Sequence, residues 1–180
     1  MSNKTYFISD LHFGHDKDFI YKFRGFSSIE EHDEKIIENF NSVVTDEDDV
    51  YILGDLMLGD QDHGIECLQR LKGKLHIIQG NHCTNKKTER YKELPNVVEL
   101  IGWATVIKYK KWNFYLSHYP TCVGNGDDSV KMWCICGHTH TENKFSDIDK
   151  KCYHVEPECQ NNFPVEIEKI IEDIQILNKV

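Results

Sequence analysis

The chain is predicted to be an α/β protein with two packed sheets and helices outside, on three observations. Five short apolar runs each end, within a residue or two, in a metal-binding type of residue. Residues 4–9 run into Asp10-Leu11-His12, 50–53 into Gly54-Asp55, and 75–79 into Gly80-Asn81-His82. Residues 113–117 run into His118, and Met132–Cys136 into Gly137-His138-Thr139-His140. Strand-like and helical patterns alternate in the first half, and after Pro95 the chain turns strand-rich before a closing helical pattern. Strand–helix units followed by a run of strands suit two sheets with helices outside.

Taken in order, residues 4–9 read as the first strand. Ile29–Val43 places Ile36, Ile37 and Phe40 at helical spacing, with Glu30, Glu31 and Asp33 near its start, where acids complement the helix dipole. Residues 62–71 repeat the helical pattern with Ile65, Leu68 and Leu71. Strands are expected at 97–100, Ala104–Tyr109, 113–117, Met132–Cys136 and 151–155. Residues 164–177 close the chain as a helix with a Pro164 start and Ile167, Ile170, Ile171, Ile174 and Leu177 on one face. No repeat, low-complexity tract or linker interrupts the pattern, so residues 1–180 are expected to form a single domain, long enough to bury a core without staples.

Composition narrows the function classes. No apolar stretch approaches the roughly 20 residues of a membrane helix, and the strand-like start predicts no signal peptide. Seven cysteines at irregular spacings do not form a disulfide framework, so a reducing cytoplasm is the expected compartment. Cys134 and Cys136 are too close for a Cys-x-x-Cys knuckle, and most cysteines read as small buried hydrophobes. A net charge of −9 argues against binding extended nucleic acid, whose affinity comes largely from Lys and Arg neutralising phosphates. A nucleotide or short strand stays open, since bound dications reverse the local field. Nothing in the sequence sets the oligomeric state.

The chemistry sits at the strand ends, where open α/β sheets build their sites. Asp10 and His12 are two apart, so on a strand both point to the same side, and His138 and His140 repeat that spacing. Asp55, Asn81 and His118 arrive from three other strands. These seven residues offer N and O ligands and no thiolate, a set suited to Mn²⁺, Fe²⁺, Zn²⁺ or Ni²⁺. Seven exceeds the three or four protein ligands of a single zinc site. Two adjacent metals sharing a carboxylate explain the count better, and such pairs, roughly 3.5–4 Å apart, clamp the oxygens of phosphoryl groups. Singly each motif is weak, Gly54-Asp55 being a common turn; jointly, in order and at strand ends, they are specific.

Asp10-x-His12, Gly54-Asp55, Gly80-Asn81-His82, His118 and Gly137-His138-x-His140, in that order, resemble the full signature of the calcineurin-like metallophosphoesterases. Residues 9–15 and Arg24-Gly25-Phe26-Ser27-Ser28 also resemble the small bacterial and phage-type members. The resemblance implies a four-layer α/β/β/α sandwich of two mixed sheets flanked by helices. It implies a dinuclear centre in which Asp10, His12 and His140 hold one metal, Asn81, His118 and His138 the other, and Asp55 bridges them. Manganese is the expected metal, with iron, zinc or nickel as alternatives. The implied reaction is hydrolysis of a phosphomonoester or phosphodiester in a small phosphorylated substrate, a nucleotide among the candidates. A metal-activated hydroxide attacks, and His82 protonates the leaving oxygen as general acid. Rival readings are a nuclease acting on nucleic-acid ends and a catalytically weakened scaffold. The arginine-bearing form of the Asn81 motif found in protein phosphatases is absent.

Other polar residues carry less. His32, His63, His76 and His154 are expected on solvent or packing surfaces, and His15 behind the first motif is a candidate for contact with a ligating histidine. Arg24 reads as an exposed arginine, Lys86-Lys87 and residues 108–111 as solvated faces, and Trp103, Trp112 and Trp133 as core or sheet-face aromatics. Residues 13–28, 83–94 and 120–129 are the segments expected to set specificity. One position departs from the family pattern: Cys83 stands where an acidic residue usually follows the motif histidine, and a thiol is a poor hydrogen-bond acceptor. Cys83→Asp is expected to raise turnover or shift the basic limb of the pH–rate profile upward; an unchanged profile removes Cys83 from the account.

Overall fold

Alternation along the first strand, β1 (Thr5–Ile8), decides how the molecule uses its sheets: Tyr6 and Ile8 enter one apolar cluster and Phe7 another. The computed structural model describes residues 3–123, 132–147, 149 and 151–179. After β1 come α1 (Asp18–Tyr21), α2 (Ile29–Val43), β2 (Asp49–Leu53), α3 (Gln61–Gln69), β3 (Lys74–Ile78), α4 (Asn85–Lys92) and β4 (Val97–Ile101). The second half adds β5 (Ala104–Tyr109), β6 (Trp112–Ser117), β7 (Met132–Cys136), β8 (Cys152–His154), β9 (Val165–Glu166) and α5 (Ile167–Leu177).

Two mixed sheets result, as expected. The first has the order β4-β3-β2-β1-β9, parallel throughout except for β9, which runs antiparallel to β1. The second has the order β5-β6-β7-β8, antiparallel at β5–β6 and parallel thereafter. One cluster joins the helix-side residues Ile8, Val50, Ile52, Leu75 and Ile77 to Ile36, Ile37 and Phe40 of α2, Leu68 of α3 and Tyr91 of α4. The other fills the space between the sheets, with Phe7, Leu53 and Ile78 against Phe114, Leu116, Trp133, Ile135 and Tyr153. Ile167, Ile170, Ile171 and Ile174 of α5 belong to that same inter-sheet cluster.

The helix starts follow local chemistry. Ser28 caps α2, its hydroxyl accepting from the Glu31 N–H, and Asp60 caps α3 by accepting from the Asp62 and His63 N–H groups at 3.1 Å. The expected Pro164 start of the last helix is corrected. Residues 165 and 166 pair with Phe7 and Tyr6 as strand β9, so the helix begins at Ile167. A backbone ladder won over the proline signal. Helix α4 was not foreseen because its exposed face is almost wholly polar; Thr84 caps it and Tyr91 anchors it. Trp103 is 60% exposed, against expectation, whereas Trp133 lies in the core. Among the described residues no helix is long and apolar enough to cross a membrane.

Phe40, fully buried between α2 and the first sheet, tests the helical layer. Phe40→Ala is expected to cost about 3–5 kcal/mol, from lost transfer energy and the cavity left behind, measured by denaturant unfolding.

Candidate metal centre

Both sheets deliver their site residues just past the ends of parallel strands. Beyond β1 and β2 the chains stay hydrogen-bonded: the Asp10 N–H donates to the Gly54 carbonyl at 3.1 Å, and the His12 N–H to the Asp55 carbonyl at 3.0 Å. Asp10, His12, Asp55, His138 and His140 all have positive φ, between 49° and 78°. The expectation that strand alternation aligns Asp10 with His12 and His138 with His140 is therefore corrected in its reason. Each pair lies past its strand, and left-handed turns direct the side chains. That region is unfavourable for side-chain-bearing residues and is held here by surrounding contacts.

The motif glycines make room for these side chains. A Cβ on Gly80 would stand 2.4 Å from Asp55 Oδ1, and one on Gly137 would stand 2.3 Å from Asp10 Oδ2. Neither distance is tolerable for a carbon. Each glycine is thus required by a carboxylate: Asp55 from the neighbouring strand end for Gly80, and Asp10 from the other sheet for Gly137.

Two ligand groups form. Donor atoms of Asp10, His12 and His140 all lie within 4.8 Å of one another, and so do those of Asp55, His118 and His138. Asn81 joins the second group, its Oδ1 2.8 Å from His118 Nε2. The groups are linked by the His138 N–H, which donates to Asp10 Oδ2 at 2.9 Å. His82 stands at the rim, half-exposed, with Nε2 3.9 Å from Asp55 Oδ2 and its ring 5.8 Å from that of His12. All seven expected ligands and His82 are therefore brought together, with Asp55 standing in the His118–His138 group.

The donor set fits divalent cations. Both ring nitrogens of His12 and Oδ1 of Asp10 are buried without a hydrogen-bond partner, a state rarely left uncompensated. Asp10 Oδ1 faces Nε2 of His12 at 3.8 Å and of His140 at 3.7 Å. His118 Nδ1 donates to the Leu53 carbonyl at 2.8 Å, so Nε2 is the atom turned to the site. Around that nitrogen converge Asn81 Oδ1, Asp55 Oδ2 at 3.3 Å and His138 Nδ1 at 3.2 Å.

Electrostatics agree. Burial pushes Asp10 up to about 6 and His12 down to about 2. Burial opposes but does not prevent a raised pKa at His118, where Asp55 and Asp10 favour the protonated ring. Asp55 is held down to about 2 against its own burial, chiefly by His118. A proton on His118 occupies the place a cation would take.

The supporting residues were only partly foreseen. Glu158 Oε1 accepts from His140 Nδ1 at 2.7 Å and from Arg24 Nε at 2.9 Å. Arg24, expected at the surface, is buried and donates to the Asp10 carbonyl at 2.7 Å and the Leu11 carbonyl at 3.3 Å. The correction is physical: neither carbonyl accepts from a backbone N–H among the described residues, and a guanidinium satisfies both. Lys87, expected to be solvated, is also buried, its Nζ donating to the carbonyls of His82 at 2.9 Å and Met57 at 2.7 Å. His15 packs its ring 5.2 Å from His12. His32 is buried between Arg24 and Asp33, and His154 is buried on the second sheet. Cys83 packs against the helix-side apolar cluster. No sequence signal marks Glu158, which arrives by fold alone; residues 124–129 of the third specificity segment lie outside the described residues.

The chain resembles several known proteins. An uncharacterised protein of Methanocaldococcus jannaschii is 34% identical, the match covering 96% of this chain and 92% of that one. The Gene 66 protein of Mycobacterium phage L5 is 38% identical over 46% of this chain and 40% of its own length. A crystal structure of a protein of unknown function from Aquifex aeolicus superposes with a TM-score of 0.68 at 22% identity, covering 95% of this chain and 99% of that one, and shares the fold. Residues 4–158 match the calcineurin-like phosphoesterase superfamily domain. With the signature residues gathered past the strand ends of both sheets and the match spanning most of the chain, the protein belongs to the calcineurin-like phosphoesterase superfamily.

Proposed function

We propose that the chain hydrolyses a phosphomonoester or phosphodiester in a small phosphorylated substrate at a two-metal centre. The observation that carries this is the pair of adjacent three-residue donor groups with the His12 nitrogens and Asp10 Oδ1 buried and unpartnered. Asp10, His12 and His140 would hold one cation and Asn81, His118 and His138 the other, with Asp55 between them. Manganese is the metal that the resemblance implies, and the mixed N and O donors suit iron, zinc and nickel as well. When bound, such cations neutralise phosphoryl charge and make water a nucleophile near neutral pH.

The residues then divide the work. The Leu53 carbonyl and Glu158 each accept from an Nδ1–H, which fixes the tautomers of His118 and His140 and leaves Nε2 as donor in both. Arg24 holds Glu158 and the Asp10–Leu11 backbone in one arrangement. Lys87 does the same for the carbonyl of His82. His82 is more exposed than His12 and His140, so a substrate can reach its ring, and imidazole suits proton delivery to a leaving oxygen.

His82→Ala is expected to lower turnover of a chromogenic phosphodiester by about 10²–10⁴-fold with Mn²⁺ present, the usual worth of a general acid. Bound metal per chain should stay unchanged; full activity in the variant would remove His82 from the mechanism. Running the wild type on linear and cyclic diesters, monoesters and short nucleic acids at several ionic strengths separates the nuclease reading, since only nucleic-acid affinity falls steeply with salt.

Glu158→Gln keeps an acceptor for His140 but removes the charge. It is expected to weaken metal affinity by roughly 10–100-fold, read by calorimetric Mn²⁺ titration of folded protein. Loss of the buried partner of Arg24 also costs stability, so unfolding is measured alongside.

A further inference from the structure

Strands β7 and β8 carry a second group of donors that the phosphoesterase chemistry does not use. Cys134 and Cys136 are two apart on β7 and so share a face, and the parallel register sets Cys152 of β8 beside Cys134. That face points away from the inter-sheet core, which takes Trp133, Ile135 and Tyr153 instead. All three Sγ atoms lie within 4.8 Å of one another, with Cys136 Sγ 3.4 Å from Cys152 Sγ. The cysteines are buried and free.

We propose that Cys134, Cys136 and Cys152 form a separate site for a thiophilic d¹⁰ cation, Zn²⁺ or Cu⁺. Thiolates around zinc at about 2.3 Å stand about 3.8–4 Å apart, a spacing that the three sulfurs approach without rearranging either strand. Sulfur-only donors select soft cations, whereas the N and O set at the strand ends selects harder ones. The surroundings also differ from those of inert buried cysteines. His154 Nδ1 is 3.7 Å from Cys136 Sγ, and the Ser117 hydroxyl is 3.8 Å from Cys134 Sγ. An open cleft of about 300 Å³, lined in part by Thr121, Cys122, Cys152 and His154, gives a path from solvent and room for an external fourth ligand. The cluster Asp33–His63–Cys67 lacks this character: Asp33 already accepts from Gly14 N–H and pairs with His32 and His63. A cation on the three sulfurs would clasp β7 to β8 immediately before Gly137-His138-Thr139-His140.

The test uses reduced, metal-free, full-length protein titrated with Co²⁺. Only thiolate ligation gives an intense sulfur-to-cobalt charge-transfer band in the near ultraviolet, so cobalt at the histidine and carboxylate groups does not interfere. The expected result is such a band, with an intensity at saturation that corresponds to one thiolate-bound cation per chain, displaced by Zn²⁺, retained in Asp55→Asn and lost in Cys152→Ser. Absence of the band, or its survival in Cys152→Ser, overturns the proposal. Should that variant fail to fold, cadmium NMR of the wild type decides. A resonance in the thiolate-rich downfield region supports the site, and resonances confined to the nitrogen and oxygen region overturn it. Neither readout uses phosphoester turnover, so failure here and failure of the hydrolase reading are told apart.

Discussion

The structure turns on Asp10, a carboxylate with no exposure at all placed where the two sheets meet. One oxygen accepts the N–H of His138 from the second sheet, and the other is left facing His12 and His140. A buried carboxylate in such a place is costly unless positive charge lies nearby. Its pKa, pushed up to about 6, is the sign of that cost. The rest of the site compensates it: glycine at 137 so that the chain can pass, left-handed turns at five donor positions, and the His12 ring buried without a hydrogen-bond partner.

The same constraint explains why so much could be read in advance. A residue that must carry a donor at the end of a strand, beside a glycine that must have no Cβ, leaves a short local motif, and three of the five strand-end motifs have that form: Gly54-Asp55, Gly80-Asn81 and Gly137-His138. Strand and helix positions were legible for a related reason. Strands β1, β2 and β3 meet an apolar cluster on each face and so read as apolar runs, while the 3.6-residue spacing in α2 meets a single cluster, and Ile29–Val43 coincides with its expected bounds.

What escaped the sequence depends on partners distant along the chain. Arg24 looks like any surface arginine until Glu158, 134 residues away, and the Asp10 and Leu11 carbonyls are placed around it. Lys87 sits in a lysine-rich helix whose neighbours are solvated, and only the free carbonyls of Met57 and His82 draw it inside. Cys134 and Cys136 are too close for a familiar spacing, and the third sulfur comes from a strand paired through register. Val165 and Glu166 followed a proline that reads as a helix start, yet the open edge of β1 took them as a strand. Each miss is a tertiary hydrogen bond or pairing overriding a local preference.

Charge closes the argument. The net charge of −9 would repel a phosphoester if it governed the site. It does not, because the anionic groups at the strand ends are buried and aimed inward at shared points, while Lys4, Lys110 and Lys169 pair with surface acids elsewhere. On the proposed two-metal reading, seven inward donors with only two carboxylates among them would leave a cationic site, and an anionic substrate would be attracted to it at short range whatever the global charge.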